Sequence, residues 1–121
     1  MPPTQAAEIQ PVVGWLVCTE GPDKGRDFRL RTGRNYLGRS PMMEVCIPAD
    51  MAISRERHAT VLYDAKRFAF WAAPGQGTGQ LFLNGEAVEA PKPMKAEDVL
   101  ELGQTKLVLI PFCGENRSWD K

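Results

Sequence analysis

Two short basic motifs, Gly38-Arg39 and Ser54-Arg55-Glu56-Arg57-His58, hold the residues of this chain whose types and spacing can do chemistry. A guanidinium presents a planar fork of N–H donors that matches phosphate oxygens, and a nearby hydroxyl can add a short charge-assisted hydrogen bond to the same anion. The first motif closes one apolar segment and the second opens the next. If those segments pair as strands, their loops leave the sheet on one rim and converge on one anion. Arg39, Ser54, Arg55 and Arg57 are therefore candidate phosphate ligands, with one of Arg55 and Arg57 expected to face the ligand and the other to turn away. Catalysis makes different demands, namely a nucleophile with a base, or metal ligands, within reach of each other. The single histidine and the three scattered cysteines offer only Cys46 with His58, and nothing in the sequence orients either. No enzyme activity, metal or cofactor is expected.

The elements that must position these motifs read as short strands. Residues 14–19 (GWLVCT) and 27–30 flank a turn-rich 20–25 and give a hairpin signal, and 44–47 (EVCI) is a strand candidate ended by Pro48. Residues 57–63 alternate, with His58, Thr60 and Leu62 on one face and Ala59, Val61 and Tyr63 on the other, and 68–71 is the returning strand after a turn at 64–66. The clearest hairpin is 81–88, because Asn84-Gly85 takes positive φ at both central turn positions and so matches strand twist. Residues 90–93 (APKP) read as a rigid connector, 95–103 as a short strand and 105–110 (TKLVLI) as a buried strand. About ten short strands at intervals of roughly ten residues, with no convincing helix, indicate an all-β, antiparallel β-sandwich of about ten to eleven strands; the same spacing also fits a closed small barrel.

Composition bounds the partners. At 121 residues the chain suits one domain: a tail at 1–12, a sandwich at 13–111 and an extension at 112–121, from which Phe112, Cys113 and Trp119 could fold back. Fifteen basic residues balance fifteen acidic ones, so bulk charge argues for neither nucleic acid nor an anionic membrane. Between Lys24 and Arg67, however, ten basic residues face five acidic ones, which makes the molecule one-sided. Nucleic-acid binding would also need aromatics beside those charges, yet Phe68, Phe70 and Phe82 fall at core-like positions. Three cysteines without CxxC spacing read as free thiols in a reducing compartment, and no run reaches a membrane span or a secretory signal, so a cytoplasmic location is expected.

The ordered features over residues 14–110 resemble the forkhead-associated (FHA) domain, the phosphothreonine-binding β-sandwich of signalling proteins. The matching elements are Gly25-Arg26-x-Phe28-x-Leu30, Leu37-Gly38-Arg39-Ser40, Ile53-Ser54-Arg55 followed by His58-Ala59, the Asn84-Gly85 hairpin, and Leu100-x-Leu102-Gly103. The resemblance implies a phosphopeptide rim of Arg39, Ser40, Ser54, Arg55 and Arg57, a scaffold histidine at His58, and structural roles for Gly38, Asn84 and Gly85. Two departures stand out. The family usually places serine three residues before the histidine, whereas Ser54 lies four before His58. Either a one-residue bulge precedes His58 or Arg57 takes the histidine's place; the bulge is preferred because Val61 then falls three residues after His58, where the family has a core residue. The family also carries Ser-x-Asn-Gly-Thr ahead of its last hairpin, where this chain reads Gly77-Thr78-Gly79-Gln80-Leu81. Gly79 thus replaces the asparagine that holds the peptide backbone, leaving Thr78 or Gln80 to compensate. Such a loss should cost about 1 kcal/mol, roughly tenfold in affinity. The resemblance implies a weak or atypical phosphothreonine-peptide-binding adaptor in Ser/Thr kinase and phosphatase signalling, with a threonine-phosphorylated protein as partner and neither nucleic acid nor membrane. The alternative is a phosphorylation-independent interaction or structural module on the same fold.

Overall fold

Apolar residues at every second position make the strands two-faced, and in β5 (Ala59–Asp64) the result is plain: Ala59, Val61 and Tyr63 are buried while Thr60, Leu62 and Asp64 stay partly exposed. The computed structural model describes residues 9–75 and 79–119. Thr78 lies outside the described residues. The remaining strands are β1 (Val12–Glu20), β2 (Asp27–Arg31), β3 (Gly33–Gly38), β4 (Val45–Cys46), β6 (Ala69–Pro74), β7 (Phe82–Leu83), β8 (Glu86–Ala87), β9 (Lys92–Met94), β10 (Val99–Leu102) and β11 (Thr105–Pro111). One sheet runs β2-β1-β11-β10-β7-β8 and the other β4-β3-β5-β6-β9. Their inner faces meet in one core that includes Leu16, Leu30, Leu37, Val61, Leu100, Leu107 and Leu109, all fully buried. The expected β-sandwich is what forms.

Four details within the sandwich differ from expectation. The sheets are not wholly antiparallel, because β4 pairs with β3 in parallel through Leu37↔Val45 and Gly38↔Cys46. So short an edge strand is reached by the 39–44 loop alone, whereas a long parallel pair would need a full crossover. Strand β9 takes up the second half of the 90–93 connector and runs on to Met94, with Trp71 opposite Pro93 and Phe70 opposite Met94. An edge strand tolerates a residue that has no N–H to donate, so the prolines were poor evidence against it. Within 95–103 only Val99–Leu102 is strand, while Lys95 and Asp98 close a turn through Asp98 N–H to the Lys95 carbonyl (3.1 Å). Of the three phenylalanines placed in the core only Phe70 is buried; Phe68 sits in the β5–β6 turn at φ 54° and Phe82 is half-exposed.

Buried polar groups tie the layers together. Asp50 is 2% exposed, and its Oδ2 accepts from Gln104 N–H (2.8 Å) and the Thr105 hydroxyl (2.7 Å) while Oδ1 accepts from Ala52 N–H (3.0 Å). It therefore pins the loop that precedes Ile53 and Ser54 to the β10–β11 hairpin of the other sheet. Asn35, also buried, donates to the Arg31 and Val61 carbonyls (2.9 and 3.0 Å) and accepts from Arg31 N–H (3.0 Å), which fixes the β2–β3 turn. The cysteines are free: Cys18 and Cys113 are buried and Cys46 is partly exposed. Burial pushes the Cys18 thiol above its ordinary value, against a smaller opposing effect of the backbone at Glu20.

Candidate functional site

The rim begins where β3 ends, and Gly38 is there because nothing larger fits. A Cβ at Gly38 would stand 2.6 Å from the Arg55 carbonyl oxygen. That close approach lets the 39–44 and 54–57 loops zip together: Arg39 N–H donates to the Ser54 carbonyl (3.1 Å), Ser40 N–H to the Arg55 carbonyl (2.8 Å) and His58 N–H to the Leu37 carbonyl (2.7 Å). The two motifs singled out in the sequence thus share one edge.

Arg39 is half-anchored. Its Nε donates to the Ile53 carbonyl at 2.7 Å, which holds the guanidinium plane, and Nη1 makes a weak contact with Met51 Sδ at 3.9 Å. The terminal nitrogens remain available, and Met42 and Met51, 80% and 75% exposed, stand on the same loops. Ser54 is engaged through its backbone at both ends, yet its hydroxyl has no hydrogen-bond partner among the described residues. The Ser54 hydroxyl and the terminal nitrogens of Arg39 thus belong to two residues joined through their backbones.

The other candidates divide. Ser40 is 6% exposed and its Oγ accepts from Met42 N–H (3.2 Å), so its hydroxyl is turned into the loop. Arg55 is exposed on the rim, and its carbonyl does the work of joining the loops. Arg57 leaves the rim: at φ 49° it takes the left-handed backbone, its N–H points at Met43 Sδ (3.3 Å), and its guanidinium lies 4.5 Å over the Tyr36 ring. This left-handed residue absorbs the extra position between Ser54 and His58, so His58 rather than Arg57 lies under the rim.

His58 is the keystone of the arrangement. Ser54 N–H can only donate, so His58 Nδ1 accepts it (2.9 Å) and the ring proton sits on Nε2, which donates to the Gln80 carbonyl (2.8 Å). The His58 carbonyl takes Gly75 N–H at 3.0 Å. One side chain and its backbone thereby fasten the loop before β5 to both ends of the β6–β7 connection. Gly79 lies flat against the same ring: a Cβ there would stand 2.5 Å from Cε1 and 2.8 Å from each ring nitrogen. A Cβ at Gly75 would overlap the Arg57 and His58 carbonyls in the same way. Asn84 and Gly85, at φ 52° and 86°, form the β7–β8 turn, where Asn84 bonds Asp98 Oδ1 (3.1 Å) and Val99 N–H (2.9 Å) and nothing on the rim. Among the described residues no group of three or more metal-ligating side chains gathers, and no helix is long and apolar enough to cross a membrane.

Sequence reasoning passed over Asp50, Tyr36 and the Gln80 carbonyl. Asp50 carried one signal, a carboxylate within four residues of both Ile47 and Ile53, but a backbone carbonyl leaves none.

A family model described as the cytoplasmic domain of an inner membrane component of the T3SS matches residues 18–112. The chain belongs to that family. Its fold is the FHA fold, as solved structures show. The FHA domain of the CT664 protein from Chlamydia trachomatis superposes at TM-score 0.72 with 22% identity, over 83% of this chain and 98% of that one. The cytoplasmic domain of the T3SS sorting platform protein PscD from P. aeruginosa gives 0.67 at 20% identity, over 88% and 83%. The N-terminal FHA domain of S. cerevisiae Rad53p, solved with a phosphothreonine peptide, gives 0.70 at 16% identity, over 83% and 94%. No curated protein matches the chain.

Proposed function

We propose that this T3SS-family FHA domain is a phosphothreonine-peptide-binding module of low affinity. The observation that supports it is the pairing of an Arg39 guanidinium oriented through Nε to Ile53 with an uncommitted Ser54 hydroxyl on the loop zipped to it. The Rad53p domain, of the same fold, was solved with a phosphothreonine peptide. Arg39 and Ser54 would bind the phosphate and Arg55 would add long-range attraction, while Gly79 supplies no side chain to hold the peptide backbone. Affinity then rests on the phosphate alone. Calorimetric titration with a phosphothreonine peptide library should show binding that unphosphorylated peptides lack, and Arg39→Ala should weaken it at least about tenfold, as expected on losing a charge-assisted contact of about 1.5–3 kcal/mol. Equal binding of the phosphorylated and unphosphorylated peptides would overturn the proposal.

A second reading, phosphorylation-independent docking within a T3SS assembly, is favoured by the diversion of Arg57 and the packing of Gly79 on His58. It agrees with the likeness to a T3SS sorting platform protein. Under it the Arg39→Ala variant binds its partner as the wild type does.

A further inference from the structure

The sheet face onto which Arg57 turns carries a second constellation. Tyr36, Thr60 and Ala73 lie opposite one another across β3, β5 and β6, and Arg34, Leu62 and Trp71 form the next row. Together with Asp64 and Arg67 from the β5–β6 turn they line a cavity of about 450 Å³ on the outer face of the sheet. Neighbouring strands stand about 4.8 Å apart, so Arg34 and Trp71 are separated by about 10 Å, the width of one extended chain with its side chains. The charge is one-sided. Arg34, Arg57 and Arg67 are all exposed and, among the described residues, no carboxylate lies within ion-pair distance of any of them. Asp64 is the one acid in the lining, and its Oδ1 already accepts Lys66 N–H (3.0 Å) and Arg67 N–H (3.3 Å).

We propose that this face docks an acidic segment of a partner polypeptide, carboxylates reaching Arg34, Arg57 and Arg67 and an apolar residue settling on Leu62 and Trp71. Charge complementarity selects the occupant: three exposed cations against the single carboxylate of Asp64 surround a floor of Thr60, Leu62 and Trp71. Single-stranded nucleic acid fits less well. It would need several free aromatic faces in a row on which to stack bases, and with Tyr36 covered by the Arg57 guanidinium at 4.5 Å only Trp71 is left in the lining. The cavity also has room for one or two side chains rather than a run of nucleotides. The docking is independent of phosphate at Arg39, since it needs neither Arg39 nor Ser54.

The probe is a fluorescein-labelled, unphosphorylated peptide of alternating glutamate and phenylalanine, followed by anisotropy at low salt and by Trp71 fluorescence. Its counterparts are the same peptide with glutamine for glutamate and an oligothymidylate of equal charge. The glutamate peptide should bind saturably and the glutamine peptide should not. Arg34→Ala/Arg67→Ala should weaken binding about tenfold, as two partly solvated ion pairs would, while Arg29→Ala/Lys106→Ala, which removes two charges from the other sheet, should not. Thr60→Glu, a like charge placed on the cavity floor, should abolish binding and serves if the double variant fails to fold. Absence of saturable binding, wild-type affinity in the Arg34/Arg67 or Thr60 variant, or tighter binding of the oligothymidylate would overturn the proposal.

Discussion

At the scale of single residues, Gly79 shows how a substitution legible in sequence can carry a different meaning in three dimensions. Read along the chain, it is the position where the FHA family's asparagine is missing. In the fold it is also the position against which the His58 ring packs, at a distance no side chain tolerates. Restoring the asparagine should therefore not restore the peptide grip. Gly79→Asn must push either His58 or the 79–80 loop aside, breaking the Nε2 bond to the Gln80 carbonyl, with an expected loss of about 1–3 kcal/mol from overpacking. Urea denaturation checks the stability, and titration with the phosphothreonine library should show no gain in affinity over wild type. That the Arg39 and Ser54 loops share one edge was legible, because each motif flanks an apolar segment and the segments pair. Arg57 was not, since whether an inserted residue bulges outward depends on a φ of 49° and on a tyrosine 21 positions upstream being there to receive the guanidinium.

At the scale of elements, what positions the rim is a loop braced from behind. Residues 47–54 carry Ile53 and Ser54 to Arg39, and Asp50 ties that loop to the β10–β11 hairpin with two hydrogen bonds while a third, from Ala52 N–H, closes the loop on itself. Gly103, at φ 59°, leaves room for the carboxylate, which a Cβ would approach to 2.8 Å. Asp50→Asn keeps the shape but presents an amide N–H₂ to donors, so at least one of Ala52 N–H, Gln104 N–H and the Thr105 hydroxyl is left unpaired in a dry site. The expected cost is about 2–3 kcal/mol, read from chemical denaturation, and phosphopeptide affinity should fall because the Ile53 carbonyl no longer holds Arg39 Nε in place. Most strands were legible, because alternation and turn chemistry act over a few residues. The β9 strand and the parallel β3–β4 pair were hidden, since both are edges defined by a distant partner and not by their own pattern.

At the scale of the whole molecule, the start of β1 and the segment after β11 are closed on each other well away from the rim. Phe112 N–H and Cys113 N–H both donate to the Val13 carbonyl at 2.9 Å, and Trp119 Nε1 donates to the Val12 carbonyl at 2.7 Å. Phe112 stands edge-on to Trp15 (6.1 Å), stacks with Trp119 (5.5 Å) and receives Arg117 at 4.6 Å. This clasp sits where Val12 pairs with Arg31, just before the turn into β3, and the six residues of β3 then carry the chain to Gly38 at the opposite end. That is a separation of about 17 Å at a strand's rise of 3.3 Å per residue. Trp119 is 53% exposed, so its truncation removes one stacking contact and one hydrogen bond without opening the core. Trp119→Ala should lower stability by about 1–2 kcal/mol, measured by thermal or urea unfolding, and leave phosphopeptide affinity unchanged. Because sites more than about 10 Å apart with no shared partner act additively, its effect should sum with that of Asp50→Asn. A loss of phosphopeptide affinity in Trp119→Ala would mean instead that the clasp and the rim move as one body, and that the extension after β11 belongs to the binding machinery.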